Sequence, residues 1–412
     1  MLGTPGGQGE DMTLAPPASD VRPAARIDAV DVLRGVVMVL MAIDHTRDYV
    51  HGAAMAFQPE DLSQTTPAIF MTRWITHVCA PVFMFCAGIG AFLKLQRGGT
   101  ARDLSRFLLT RGLWLVVLEF TVVRASFFFD LQFSPLILLV FWALGVSMIV
   151  LAALIHLPFS LLAAISIGLI ALHNLLDGIP AAQFGSFAWV WQILHARGVW
   201  ITGGPIVLVA YPLIPWMGVM AAGFCFGRVY LLAPAERRTL LLWLGTAATL
   251  AFLALRALNV HGDPAAWTTQ RNAVYTLLSF LNTTKYPPSL LFLLMTLGPA
   301  MLFLASAERL RLSSRNPLIV FGRVPLFYFI VHIPLIHLLA IGLTWARYGD
   351  APFLFLPPPT LGTPRDAFPP DYGWSLGSPY AAWLVVLMLL YPLCLWFSRV
   401  KARRRAWWVS YL

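Results

Sequence analysis

Asp31, Arg34, Asp44, His45 and Asp48 interrupt an otherwise apolar stretch, RIDAVDVLRGVVMVLMAIDHTRDYVHG, that runs from Arg26 to Gly52. At about 100° per residue, the eleven steps from Arg34 to His45 total about 1100°, which returns to within about 20° of the same helix face. Asp31 lies one turn before Arg34, and Asp48 one turn after His45, so the four form one polar stripe. Arg34 and His45 stand about 16 Å apart along the axis, near half a bilayer. Ionisable residues inside an apolar span are costly and face a protein interior or a wet cavity. A histidine at depth beside Asp44 and Asp48 has the make-up of a general base whose tautomer is fixed by a carboxylate. Arg34, with Arg26 below it, can present paired N–H donors to a phosphate or carboxylate. The blander reading of the same residues is an Asp31–Arg34 helix-end pair and a histidine among the headgroups.

Other polar groups fall at the ends of later apolar runs. Arg73 and His77 are one turn apart, and His51 follows the first run closely. Glu119 precedes Arg124 by five residues and is expected to pair with it. Lys285 and Tyr286 sit in T-T-K-Y-P-P-S, where two prolines open a span, so the cation is held at its mouth. Tyr328 and His332 are one turn apart, with His337 about 140° round from His332. Gly88 and Gly90 read as close helix packing. Cys79, Cys86, Cys225 and Cys394 lie in apolar runs without C-x-x-C or His/Cys spacing, so neither a disulfide nor a metal site is expected. No phosphate loop, dinucleotide glycine pattern, nucleophile elbow or H-E-x-x-H is present.

The chain that must position these groups has 412 residues, of which 58% are hydrophobic and only 12% charged, with a mean hydropathy of +0.73. Soluble domains carry roughly a quarter charged residues. A soluble enzyme, a secreted disulfide scaffold and a disordered chain are excluded. An all-α polytopic membrane protein of about ten transmembrane helices is expected, because the apolar runs are about twenty residues long and continuous. They lie near 29–50, 72–95, 104–123, 134–155, 157–175, 205–230, 238–258, 287–306, 317–345 and 379–400. Residues 1–25 read as a disordered tail, 26–400 as one transmembrane domain and 401–412 as a basic cytoplasmic tail. With both termini cytoplasmic, twenty of the 29 Lys and Arg fall on the inner side, as the positive-inside bias requires. The net charge of +10 therefore reports orientation in an inner (plasma) membrane and attraction to lipid, with no nucleic-acid partner implied. The long outer loops, about 176–204, 259–286 and 346–378, carry Trp189, Trp191, Trp200, Trp267 and Trp374, which suit interfacial anchoring or a sugar face.

Arg34-x10-His45 resembles the R-x10-H signature of membrane acyltransferases that O-acylate bacterial surface glycans. D-V-L-R-G-V-V-M-V-L-M-A-I-D-H, followed by T-H-V-C-A-P-V-F-M-F-C-A-G at Thr76–Gly88, is more similar to bacterial relatives of heparan-α-glucosaminide N-acetyltransferase. Y-P-L-I-P-W-M-G at Tyr211–Gly218, Thr283–Ser289 and G-R-V-P-L-F-Y-F-I-V-H at Gly322–His332 are similar to the same group. The resemblance implies a helical membrane fold that takes an acyl group, usually acetyl, from cytoplasmic acyl-CoA. The acceptor it implies is an amine or hydroxyl of a carbohydrate or small molecule on the far side. His45 then matches the motif histidine and Arg34 its arginine. In the lysosomal sugar acetyltransferase an Asn takes the place of His45, and the catalytic histidine lies about eleven residues on; the base here is therefore left as His45 or His51. Arg26, Arg34, Arg102 and Arg106 are the candidates for CoA phosphates. The competing class is a proton-coupled transporter or flippase using the same stripe as a relay; the absence of an evident inverted repeat argues against it. The acceptor's identity is left open, as is the oligomeric state, a homo-oligomer being compatible with the sequence.

Overall fold

The computed structural model describes residues 28–130, 135–201, 206–359 and 363–403. Arg26, the N-terminal tail and residues 404–412 lie outside these. Among the described residues there are fifteen α-helices. The first half holds α1 (Asp28–Val50), α2 (Pro67–Trp74), α3 (Cys79–Leu95), α4 (Ala101–Leu118), α5 (Arg124–Phe128), α6 (Val140–Leu154), α7 (Phe159–Ala171) and α8 (Ala188–Leu194). The second half holds α9 (Leu213–Phe226), α10 (Pro234–Leu258), α11 (Ala273–Leu281), α12 (Leu290–Ala307), α13 (Pro317–Arg323), α14 (Pro325–Tyr348) and α15 (Gly377–Arg403).

Helix occupies part of each of the ten apolar stretches. Among the described residues, six helical segments are long and apolar enough to cross a membrane: 67–95, 213–231, 234–258, 290–307, 325–348 and 377–403. The chain is a multi-pass helical membrane protein. α1 falls outside that set because it carries Asp28, Asp31, Arg34, Asp44, Arg47 and Asp48, and α4 is charged through its first half. α6 and α7 are apolar but only 15 and 13 residues long.

The expectation of an all-helical chain needs one correction. The stretches beginning at 134 and 205 open in strand, not helix. β1 (Leu136–Leu138) pairs parallel with β3 (Ile206–Val209), which pairs antiparallel with β2 (Gly198–Ile201), giving the order β1-β3-β2. These residues are β-branched and leucine-rich. An apolar run of that kind fits a short buried strand as well as a helix, so hydropathy alone could not separate them.

α1 is central, packed against α3, α12, α13, α14 and α15. Its contact with α13 is backbone on backbone. A methyl placed on Gly35 would meet the Leu318 carbonyl oxygen at 1.9 Å, and one on Gly322 would meet the Asp31 carbonyl at 1.8 Å. α3 and α9 meet in the same way: a methyl on Gly88 would lie 2.1 Å from the Met220 carbonyl oxygen. Small residues permit this approach, which is how helices associate where lipid offers no hydrophobic drive. Gly88 is thus a packing glycine, whereas Gly90 faces open space.

Candidate active site at the C-terminal end of the first helix

Two irregularities in the helices shape the site. Between α2 and α3 the chain tightens to a 3-10 turn, Ile75–Val78. Pro81 has no N–H to give the His77 carbonyl and its ring crowds that position, which disfavours a continuous α-helix. Between α4 and α5 lies a π-helical turn, Glu119–Val123, a local widening common at functional sites. Together with the C-terminal turns of α1, the Thr284–Tyr286 loop and the sheet, they enclose a cavity of about 540 Å³. Such a volume is in the usual range for small-molecule sites.

α1 projects Asp44, His45, Arg47 and Asp48 into this cavity. His45 Nδ1 lies 3.9 Å from Asp48 Oδ2, within ion-pair reach but beyond a hydrogen bond, and has no other partner. Its ring packs edge-on against Phe127, with centroids 5.6 Å apart, and 5.3 Å from the ring of His332. Asp48 instead accepts a 2.6 Å hydrogen bond from Arg47 Nη2. Arg47 also lies 3.2 Å from Asp44, whose other oxygen is held by Arg73. Arg73 Nε in turn donates to Glu60 Oε1 at 2.9 Å. The result is one continuous chain of charge, Glu60–Arg73–Asp44–Arg47–Asp48, ending beside His45. Burial alone would raise the Glu60 carboxyl, but Arg73, helped by His77, holds it well below the usual carboxylate range.

The other expected residues divide into those that reach the cavity and those that do not. Arg73, Lys285, Tyr286 and Glu119 line it. Lys285 Nζ sits 5.3 Å from the Tyr286 ring, and the Tyr286 hydroxyl donates to the Tyr211 hydroxyl at 3.4 Å. His332 is fully buried behind His45; its Nδ1 is 2.6 Å from the Phe329 carbonyl, its Nε2 has no partner, and Tyr328 stacks on it at 5.5 Å. His77 is buried at the network's edge, 3.7 Å from Glu60, against Phe292. His51 is taken into a backbone bridge with Trp374 and does not line the cavity. His337 bonds to the carbonyls of Ser126 and Leu354, remote in role from His332 as its angle on the helix required.

One expectation is corrected. Glu119 does not pair with Arg124. Its Oε2 accepts the N–H groups of Phe141 and Trp142 at 2.7 and 3.0 Å, so the carboxylate caps the N-terminus of α6, while Arg124 pairs with Asp130. Unsatisfied N–H groups and the dipole at a helix start attract an anion more strongly than a distant cation does. The stripe on α1 divides between two places, in keeping with the roughly 16 Å of helix between Arg34 and His45. Arg34 does not line the cavity; its guanidinium lies 3.5 Å from Asp31 and 3.4 Å from the Gly322 carbonyl. Arg323 adds to the same group, 3.9 Å from Asp31 and 3.6 Å from Asp28. The Gly35–Gly322 crossing brings α13 so close that it claims this half of the stripe.

Five contributors went unseen in the sequence. Arg47 belongs to the first-span segment but lies off the stripe's face, and Glu60 is in the following loop. Arg197 reaches in from the turn before β2, its guanidinium 5.6 Å from the Tyr286 ring. Arg256 and Asp263 hold the Lys285 loop: buried Arg256 donates to the carbonyls of Phe280, Ser279, Asn282 and Ala265, and Asp263 accepts from Thr284 and Ser289. Arg47, three residues after Asp44 on the same helix, was within reach of the i,i+3 rule and was passed over, whereas Glu60, Arg197, Arg256 and Asp263 come from other elements, which spacing along the chain does not reveal.

No curated protein matches the chain. Its residues 26–262, more than half of its length, match the family described as heparan-alpha-glucosaminide N-acetyltransferase, catalytic. The match spans α1 to the end of α10 and so includes the charge network, while Lys285, Tyr286, Tyr328 and His332 lie beyond it. A helical membrane chain with the matched segment built around the first-helix cavity belongs to the heparan-alpha-glucosaminide N-acetyltransferase catalytic family.

Proposed function

We propose that this chain is an acyltransferase of the plasma (inner) membrane, moving an acyl group, acetyl in the first instance, from cytoplasmic acyl-CoA to an amine or hydroxyl of a sugar-like acceptor at the outer face. The observation that carries the reading is His45 in a closed-in cavity, with Asp48 at 3.9 Å and Arg73 and Lys285 in the same walls. In the proposed ten-span arrangement the termini are cytoplasmic and this cavity belongs to the outer half, in keeping with the Lys/Arg bias. Arg34 and Arg323 at the opposite end of α1, with the exposed Arg102 and Arg106 of α4 and Arg26 before α1, are the cations proposed for the CoA phosphates. The pantetheine arm then spans the roughly 16 Å of helix between Arg34 and His45.

In the chemical step the acceptor N–H or O–H attacks the thioester carbonyl, and His45 takes the proton as the bond forms. The C–S bond breaks, the thiolate leaves as CoA, and the proton returns to it or to water. Asp48 favours the imidazolium through charge, and Lys285 is the cation proposed to face the developing oxyanion. Purified protein with acetyl-CoA and a panel of amino sugars and alcohols tests this. CoA release that depends on acceptor and is lost in His45→Ala supports the reading. The absence of both CoA release and CoA binding would refute it, and proton-coupled solute uptake by the same protein in vesicles would favour a transporter instead.

A further inference from the structure

Away from the cavity of α1, three side chains from two segments converge. His173 opens the 3-10 turn that follows α7, Asp177 closes that turn, and His195 ends α8. One donor atom from each, a ring nitrogen or a carboxylate oxygen, lies within 4.8 Å of the others. His195 Nε2 and Asp177 Oδ1 are already 3.0 Å apart. Four-coordinate zinc with bonds of about 2.0–2.1 Å needs ligand atoms roughly 3.4 Å from one another, so small side-chain rotations complete the set.

The histidines have nothing else to do. His173 is 2% exposed, and neither of its ring nitrogens has a hydrogen-bond partner; the backbone of Pro288 approaches without completing one. His195 is 3% exposed, and its Nδ1 is likewise unpartnered. A buried imidazole with both nitrogens unsatisfied bears the desolvation penalty of each, a situation that native proteins resolve with a partner. The carboxylate, by contrast, is held from behind: Asn174 Nδ2 donates to Asp177 Oδ2 at 2.8 Å, and Asn174 Oδ1 accepts from Leu290 N at the start of α12. An oriented carboxylate with a support of this kind is what metal ligands commonly have.

We propose that His173, Asp177 and His195 bind a divalent transition metal, zinc by ligand type, with water in the fourth position. Two imidazoles and one carboxylate suit zinc and its neighbours in the series and are a poor set for calcium or magnesium, which take oxygen ligands. Its role follows from connectivity. The site ties the end of α7 to the segment that runs from α8 into β2, and Arg197 stands two residues past His195, over Tyr286 in the cavity wall. The metal therefore fixes the wall that carries Arg197. The inference does not rest on the proposed acyl transfer and can fail or stand without it.

The test uses the full chain in detergent, loaded with zinc and then dialysed. Metal analysis is expected to give about one zinc per chain in the wild type and about a tenth of that or less in His173→Ala and His195→Ala. Chelation is expected to lower the wild-type melting temperature by several degrees, reversed by zinc, and to leave both variants unmoved. Cobalt substitution would add the visible absorption of a four-coordinate N/O site. His173→Gln keeps a polar side chain, and the wild-type stripped and reloaded comparison stands if every variant misfolds. Zinc content near zero in the wild type with unchanged melting, or wild-type content retained in the variants, overturns the proposal and leaves an ordinary His195–Asp177 hydrogen bond.

Discussion

Replacing Arg73 by alanine removes the one side chain that joins Asp44 to Glu60. The Arg73 side chain is 13% exposed and that of Asp44 12%, so the pair is largely out of water, while Glu60 at 28% is partly solvated. Breaking a buried ion pair by deleting one partner costs about 3–5 kcal/mol, because a charge is left uncompensated. Here Arg47, 3.2 Å from Asp44, remains and can turn further toward it, and water can reach Glu60. Those two reliefs bring the expected cost to about 2–3 kcal/mol. The same arithmetic predicts recovery. Asp44→Asn in the Arg73→Ala background removes the stranded charge, so the double variant should show an interaction energy of about 1–3 kcal/mol. Reversible unfolding in mixed micelles measures all four corners of this cycle. Additivity within about 0.5 kcal/mol, or a cost of Arg73→Ala below about 1 kcal/mol, would mean the chain of charge is not a cooperative structure. A catalytic readout accompanies it: as Arg47 shifts to Asp44 it releases Asp48, so CoA release should change in Arg73→Ala even where the protein stays folded.

The remaining expectations are quickly stated. His45→Gln should lower kcat for CoA release by about 10²–10⁴ without loss of fold, whereas His51→Gln, outside the cavity, should stay within a few fold of wild type; the reverse outcome would move the base to His51. Lys285→Met should reduce kcat by about 10²–10³ with a smaller change in KM if its charge acts on the transition state, and an effect on KM alone would assign it to binding. Gly322→Ala should cost about 3 kcal/mol or more, since the added methyl falls 1.8 Å from a backbone oxygen, and a melting temperature equal to wild type would show that α1 and α13 can part. Because the Glu60 carboxyl is held below its ordinary value, its ionic contribution is in full force above about pH 5 and is lost only as pH falls through the lowered folded value. The stability difference between wild type and Glu60→Gln should therefore be flat from about pH 8 to 5 and shrink below that, which pH-dependent melting will read.

What the sequence could and could not disclose follows from distance along the chain. The placement of His45, Asp44 and Asp48 together was legible because one helix carries them, and its 3.6-residue period is a fixed rule. The apolar stretches were legible because a bilayer sets their length. The same rule stops short at Arg34: a shared helix face says nothing about which neighbour covers each half of it, and Gly322, 288 residues on, supplies that neighbour. Glu119 failed for a related reason. Arg124 lies five residues away on a π-widened turn, whereas the N-terminus of α6 lies across the cavity wall, where only tertiary structure could put it. His173, Asp177 and His195 passed unnoticed because twenty-two residues separate the two histidines, a spacing with no motif behind it.

The distribution of charge around the cavity narrows which cation is available to a substrate. Arg47 and Arg73 are committed to Asp44, Asp48 and Glu60 through the network, and Arg124 to Asp130. Glu119 is engaged by the two N–H groups at the start of α6. Among the described residues, Lys285 and Arg197 have no carboxylate or carbonyl partner; both lie against the face of Tyr286. A cation already neutralised by a short carboxylate contact gives little to a transition state, because that attraction must be broken before a new one forms. Lys285 and Arg197 start without that debt. In the proposed reaction, negative charge appearing on the acyl oxygen, or already present on an acidic acceptor, is drawn to the Tyr286 side of the cavity. The proton leaves toward His45 and Asp48. In that proposal the network from Glu60 to Asp48 holds the base, and Arg256 with Asp263 holds the loop that carries Lys285.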